Sequence, residues 1–136
     1  MGRTKQESRI RRLLAEYCQH YDDGRPEEFA DLFAEDGAFT VFGETRRGRR
    51  EIHDTIGQRR PGMPPGQHVT YNTVLDVDDD GRRARARTDF LYLTKTDGGF
   101  SVSQAGRYYD DLVREEDRWR FRSRTIRFLG EPEPEG

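Results

Sequence analysis

Apolar residues at Ile10, Leu13, Leu14, Tyr17 and Tyr21 recur at helical spacing, with Arg9, Arg11, Arg12, Glu16 and Gln19 between them. The pattern predicts a long amphipathic helix that stops near Gly24. Pro26 suits the first position of a second helix, where a missing N–H costs nothing. Glu27 and Glu28 suit the positive end of that helix's backbone dipole. Phe29, Leu32 and Phe33 form its buried side. Asp36-Gly37 reads as a turn and residues 38–42 as a short strand. Residues 51–56 suggest a third helix ended by Gly57, and the stretch 60–66, rich in proline and glycine, reads as a loop.

Beyond it the hydrophobic period changes to two. Val69, Tyr71, Thr73, Leu75 and Val77 alternate with His68, Thr70, Asn72 and Val74, a strand pattern. Asp78-Asp79-Asp80-Gly81 is a hairpin turn. Residues 83–96 form the next strand, Asp97-Gly98-Gly99 the next turn, 100–114 a further strand, and 119–128 the last, after a charged turn at Glu116-Asp117. Helices followed by an antiparallel meander predict an α+β fold, with helices packed on one face of a curved sheet. Residues 1–130 are expected to form a single domain and 131–136 a disordered acidic tail.

Composition narrows the function classes. Of the 136 residues, 37% are charged and only 32% hydrophobic, so the eight Phe, six Tyr and one Trp must supply much of the core. So lean a core suggests a partner subunit, and a homodimer is expected. The net charge of -2 gives no global attraction to nucleic acid. The arginine runs at 46–50 and 82–87 are bracketed or adjoined by acids and read as solvated charge. No apolar run approaches a membrane span, and the basic N-terminus lacks the apolar stretch of a signal peptide. A lone cysteine, Cys18, fits a reducing compartment, and the cytoplasm is the expected location. Phosphate-loop, nucleophile-elbow and zinc patterns are lacking, and three scattered histidines make no metal site. No cofactor is expected.

The candidate chemistry rests on Asp22 and His68. Asp22 lies at the end of the first helix, where the dipole disfavours a carboxylate by about 0.3–1 kcal/mol, so an acid there calls for a partner. A strand histidine is suited to that part, because imidazole exchanges protons near neutral pH. Asp22 also fits a plain helix-ending role, one that Asp23 can fill instead. His68, Thr70, Asn72 and Val74 share one strand face by alternation, and that face meets either a pocket or solvent. Tyr17 and Tyr21 lie on the buried stripe of the first helix, where either hydroxyl can turn into a cavity. Alternation places Asp89 with Arg85 and Arg87, facing outward. His20 and His53 read as surface residues, Cys18 as a buried thiol, and Asp110 with Arg124 as a structural ion pair.

Several motifs carry a resemblance: Tyr17-x-x-x-Tyr21-Asp22-x-Gly24, residues 29–37, Gly48 with Glu51-Ile52, His68-x-x-x-Asn72, residues 106–110, and Trp119-Arg120-Phe121-x-x-Arg124. In this order they resemble the SnoaL-like family, over about residues 10–128. The resemblance implies the nuclear transport factor 2-like cone, a strongly curved, mainly antiparallel sheet wrapped round a pocket and closed by N-terminal helices. That fold is shared by scytalone dehydratase, bile-acid 7α-dehydratase, ketosteroid isomerase and small polyketide cyclases, and also by non-enzymes. It implies that Asp22 and His68 correspond to the acid and histidine of the dehydratase and cyclase branches. Tyr21 resembles the tyrosine beside the scytalone dehydratase acid, and Tyr17 and Asp89 resemble residues of the bile-acid enzyme. Scytalone dehydratase has a second pocket histidine on a later strand; this chain has none after His68.

The expected function is that of a cofactor-free lyase or isomerase acting on a hydrophobic carbonyl compound such as a polyketide or steroid-like ring. His68, Asp22, Tyr17 and Tyr21 are the expected catalytic residues, with Asn72, Phe33, Val74, Phe90 and Asp89 lining the substrate site. Two other classes remain: a binding protein that holds a lipophilic ligand unchanged, and an assembly protein like the small subunit of ring-hydroxylating dioxygenases.

Overall fold

The amphipathic stripe at the N-terminus folds as α1 (Arg3–Asp22). The structure, a computed structural model, describes residues 2–57 and 64–134. One side of α1 buries Gln6, Ile10, Leu13, Leu14, Tyr17 and Cys18. The helix ends where the Asp23 N–H bonds Gln19 and Gly24 adopts φ 67°, a left-handed turn that glycine tolerates. α2 (Pro26–Asp31) starts on its proline and buries Phe29 and Ala30.

Phe33 does not extend the buried side of α2. Leu32 caps the helix, and its carbonyl accepts the Phe121 N–H at 2.9 Å, drawing the chain into the sheet. Phe33 therefore opens β1 (Phe33–Val41). The expected turn at Asp36-Gly37 is instead an irregularity inside that strand, between the paired positions Phe33 and Ala38. A Cβ at Gly37 would lie 2.9 Å from the Ala34 carbonyl oxygen, so the kinked chain needs glycine there. A strand absent from the sequence reading follows, β2 (Glu44–Arg47). Phe42 and Gly43, at φ 53° and 76°, make the tight turn between them, with both central residues left-handed. α3 (Gly48–Gly57) starts earlier than the expected 51–56 and buries Ile52 and Ile56.

The remaining strands are β3 (Gly66–Val77), β4 (Arg83–Thr96), β5 (Gly99–Glu115) and β6 (Arg118–Phe128). Gly66 thus belongs to a strand rather than to the expected loop at 60–66, of which positions 60–63 lie outside the described residues. The sheet order is β2-β1-β6-β5-β4-β3; β1 and β6 run parallel and every other pair antiparallel. The expected α+β architecture is the observed one, with a curved, unclosed sheet. The β1–β2 hairpin interrupts the helices-first order.

Two buried polar links fasten helix to sheet and strand to strand. The Trp119 indole N–H donates to Gln6 Oε1 at 2.6 Å, tying the start of α1 to β6. Arg124 donates from Nε and Nη2 to the two oxygens of Asp110 at 2.7 and 2.8 Å, the ion pair expected between the last strands. Gly106, paired with Phe128 farther along β5, permits close strand approach: an added Cβ would lie 2.2 Å from the Arg127 carbonyl oxygen. At the chain end, Glu131 folds back so that its carboxylate accepts the Phe128 N–H at 2.8 Å; of the expected tail, 135 and 136 lie outside the described residues.

Candidate active site

α1 delivers Asp22 from its last residue, and β3 delivers His68 from its third. The two meet as a fork. Asp22 Oδ2 accepts the His68 backbone N–H at 2.9 Å, and Oδ1 contacts ring Nδ1 at 2.6 Å. A carboxylate can only accept, so Nδ1 carries a proton, and in the neutral ring the lone pair lies on Nε2. The two bonds offset the unfavourable helix end on which the acid sits. Both side chains are largely enclosed, His68 at 8% exposure and Asp22 at 11%. The rings of Tyr21, Tyr92 and Tyr17 stand edge-on to the imidazole at 5.0, 4.8 and 6.1 Å and fix its plane.

His68 opens onto a cavity of about 420 Å³ between the helices and the inner face of the sheet. Tyr17, Phe39, Phe90 and Tyr108, all buried, form its floor. Phe42, Glu44 and Gln104, all exposed, edge its mouth, where the Phe42 ring stacks on Phe128 at 4.5 Å. A volume in this range fits a small organic molecule, and the lining is mainly aromatic with a few convergent polar groups.

Beneath the floor lies the Arg124 guanidinium. Its carbon is 3.7 Å from the centre of the Tyr108 ring and 4.2 Å from that of Tyr17. Burial holds both phenols above the ordinary tyrosine value, against the nearby Arg124 charge. Both are therefore neutral hydroxyl donors rather than bases. The Tyr17 and Tyr108 hydroxyls interact with each other, but the buried Tyr108 hydroxyl meets no described residue in full hydrogen-bond geometry. A hydroxyl so poorly satisfied on a cavity floor is costly for stability, and a ligand oxygen would complete it.

Tyr17, Tyr21, His68 and Phe90 thus line one cavity, with Asp22 behind the imidazole. Asn72, Val74, Asp89 and Phe33 lie elsewhere. Asn72 adopts φ 53° and forms a bulge where the β3–β4 register shifts between Tyr71 and Val74. The bulge inverts the alternation, so Asn72 and Val74 do not share the inner face with His68. Asn72 instead donates to Asp89 Oδ2 at 3.1 Å on the outer face, where Asp89 Oδ1 accepts from Arg107 Nε at 2.6 Å. Those bonds, chiefly that from Arg107, hold the Asp89 carboxyl below the usual carboxylate range. Val74 is 45% exposed and borders a hollow with Arg87, Tyr109 and Pro134. Phe33 is sealed among Phe29, Phe39 and Phe121 behind the cavity.

Sequence reasoning missed Tyr108, Phe42 and Arg46. Tyr108 shares the inward face of β5 with Gly106 and Asp110, a periodicity that was available. Phe42 and Arg46 depend on a hairpin whose Phe-Gly turn carries a weak signal. Cys18 is a buried thiol, pushed up to about 11 by burial, which makes it a poor nucleophile. Among the described residues no cluster of His, Cys, Asp or Glu could hold a metal ion, and no helix is long and apolar enough to cross a membrane.

Comparison with known proteins agrees with this architecture. The chain is 22% identical over 130 residues to the small subunit of anthranilate 1,2-dioxygenase from Burkholderia cepacia, covering 84% of this chain and 81% of that one. An NTF2-like protein with a cystatin-like fold from Novosphingobium aromaticivorans superposes with TM-score 0.85 at 24% identity, covering 93% of this chain and 84% of that one. A scytalone dehydratase-like protein from the same organism superposes with TM-score 0.78 at 23% identity, covering 98% and 90%. The SnoaL-like domain matches residues 2–125, nearly the whole chain, and the protein belongs to that family.

Proposed function

We propose that the cavity binds a hydrophobic carbonyl compound and that His68 removes a proton from the carbon beside its carbonyl. The observation that carries this reading is the 2.6 Å contact of Asp22 with His68 Nδ1, which leaves Nε2 as the basic nitrogen in an aromatic cavity. Nε2 takes the proton, the C–H electron pair moves into an enolate, and Asp22 stabilises the imidazolium. The enolate oxygen receives a hydroxyl hydrogen bond from Tyr17, Tyr21 or Tyr108 among the aromatic rings of the cavity. The imidazolium then returns the proton. Given to a departing β-hydroxyl it completes dehydration; given to another carbon, isomerisation; given to the alkoxide formed when the enolate attacks a second carbonyl, cyclisation.

All three routes share the first step, so exchange tests them together. The two-ring ketone 2-tetralone, incubated with the protein in D2O, is expected to lose its α-proton NMR signals faster than in buffer with equimolar imidazole. His68→Ala is expected to slow the protein-dependent exchange by about 10²–10⁴-fold. Exchange no faster than with free imidazole, or unchanged by His68→Ala, would refute the proposal.

The relationship to a dioxygenase small subunit favours a second reading, in which the chain is an assembly subunit and the cavity is only a remnant of the fold. A purified protein that exchanges α-protons by itself argues against that. A binding protein that carries its ligand unchanged is distinguished in the same way: it retains ligand affinity and lacks exchange. We further propose that the chain forms a homodimer through the outer face of its sheet.

A further inference from the structure

We infer that the ligand of this cavity is an acid: an aromatic or alicyclic body that carries a carboxylate, held at the mouth by Arg46. This rests on the reading of the cavity as a small-molecule site. Arg46 pairs in register with Phe39 across the β1–β2 hairpin, so the two side chains share a face. Phe39 is buried on the cavity floor, and Arg46 accordingly lines the same cavity as His68 and is itself half-buried.

Two arginines on the helical side of the sheet have acceptors: Arg49 donates to the Phe33 carbonyl and Arg124 to Asp110. The Arg46 side chain has no hydrogen bond or ion pair with any described residue, its backbone alone being paired across the hairpin. Glu44 shares its strand and its face, yet lies exposed at the rim and does not pair with it. Among the described residues Arg46 is the one arginine lining this cavity, and no carboxylate is in contact with it. The guanidinium fork matches a carboxylate with two parallel hydrogen bonds. Below it the lining is aromatic, and beyond that lies the imidazole. A ligand that satisfies all three is an acid whose ring fills the floor and whose reacting carbonyl faces His68, with Glu44 limiting the anionic charge accepted at the mouth.

Calorimetric titration with 2-naphthoic acid and its neutral isostere 2-naphthamide tests this. The wild type is expected to bind the acid at least about tenfold more tightly than the amide, the scale of one charge-assisted hydrogen-bonded pair. Arg46→Gln is expected to abolish that preference while leaving amide affinity unchanged, and Glu44→Gln to increase it. Equal affinity of acid and amide in the wild type, a preference that survives Arg46→Gln, or binding of neither compound would overturn the inference. The result is separable from the catalytic proposal. Acid preference without α-proton exchange leaves Arg46 assigned and His68 not; exchange without acid preference does the reverse.

Discussion

Arg124 and Asp110, with side chains 1% and 0% exposed, have no water to stabilise their charges and must do so for each other. Burial works against the guanidinium, but the Asp110 carboxylate more than offsets it and holds Arg124 above its ordinary value. Burial pushes the Asp110 carboxyl up, while the Arg124 charge and its hydrogen bonds pull it down. The pair also sets the site, because Arg124 lies against the rings of the two floor tyrosines. Removing one partner leaves an uncompensated buried charge. Asp110→Ala is expected to lower unfolding stability by about 3–5 kcal/mol in urea titrations. The double substitution Asp110→Leu with Arg124→Met is expected to recover most of that loss, since an apolar pair of similar volume carries no desolvation cost. A double variant no more stable than Asp110→Ala alone would show that Arg124 contributes through its ring contacts rather than through charge balance.

Among the elements, α2 and α3 are tied by one titratable contact. His53 on α3 contacts Glu27 on α2 at 3.4 Å and its neighbour Asp54 at 3.1 Å. The bond to Asp54, and then that to Glu27, raises the imidazole above its ordinary value of 6.5. A raised folded value means that the protonated tie contributes fully below the unfolded value and is lost as pH rises through the folded one. Wild type and His53→Gln are therefore expected to differ in melting temperature on the acid side of neutrality and to converge as pH rises past the folded value. An NMR titration of the His53 ring should give a midpoint above 6.5. At this scale the sequence was legible where a single period ran unbroken. Residues 83–90 alternate without interruption and lie in β4; the stripe from Ile10 to Tyr21 is one face of α1. It was illegible where the backbone changes parity. The bulge at Asn72 moves Leu75 and Val77 onto the core side, and the adjacent apolar pair Val74-Leu75 was the trace of that shift. The Asp22–His68 contact was readable because an acid at a helix C-terminus calls for a partner. Arg46 was not, because its orientation is set by a turn that places a phenylalanine at φ 53°.

For the whole molecule, the cavity uses only one face of the sheet. On the opposite face Val69, Tyr71 and Val74 of β3 remain 38%, 41% and 45% exposed, and Val69 pairs with Leu91 beside them. Close by, Arg127 Nε is buried without a hydrogen-bond partner among the described residues. Apolar side chains next to an unsatisfied polar atom mark a surface that a second polypeptide would complete. Alternating charges there, Arg85 and Arg87 of β4 against Asp76 of β3 and Asp111 of β5, allow the face to meet a copy of itself about a two-fold axis. The other large apolar side chains left exposed among the described residues are Phe42, Phe100, Val102 and Leu129. Analytical ultracentrifugation is expected to find a dimer at micromolar concentration, and Tyr71→Arg is expected to shift it to monomer. The proposed interface is on the face of the sheet opposite His68, so the monomeric variant should keep its affinity for 2-naphthoic acid. A wild-type monomer at that concentration would refute the dimer. A Tyr71→Arg protein that remains dimeric would place the contact on another surface, and one that loses naphthoate binding would mean that the outer face supports the cavity through the sheet.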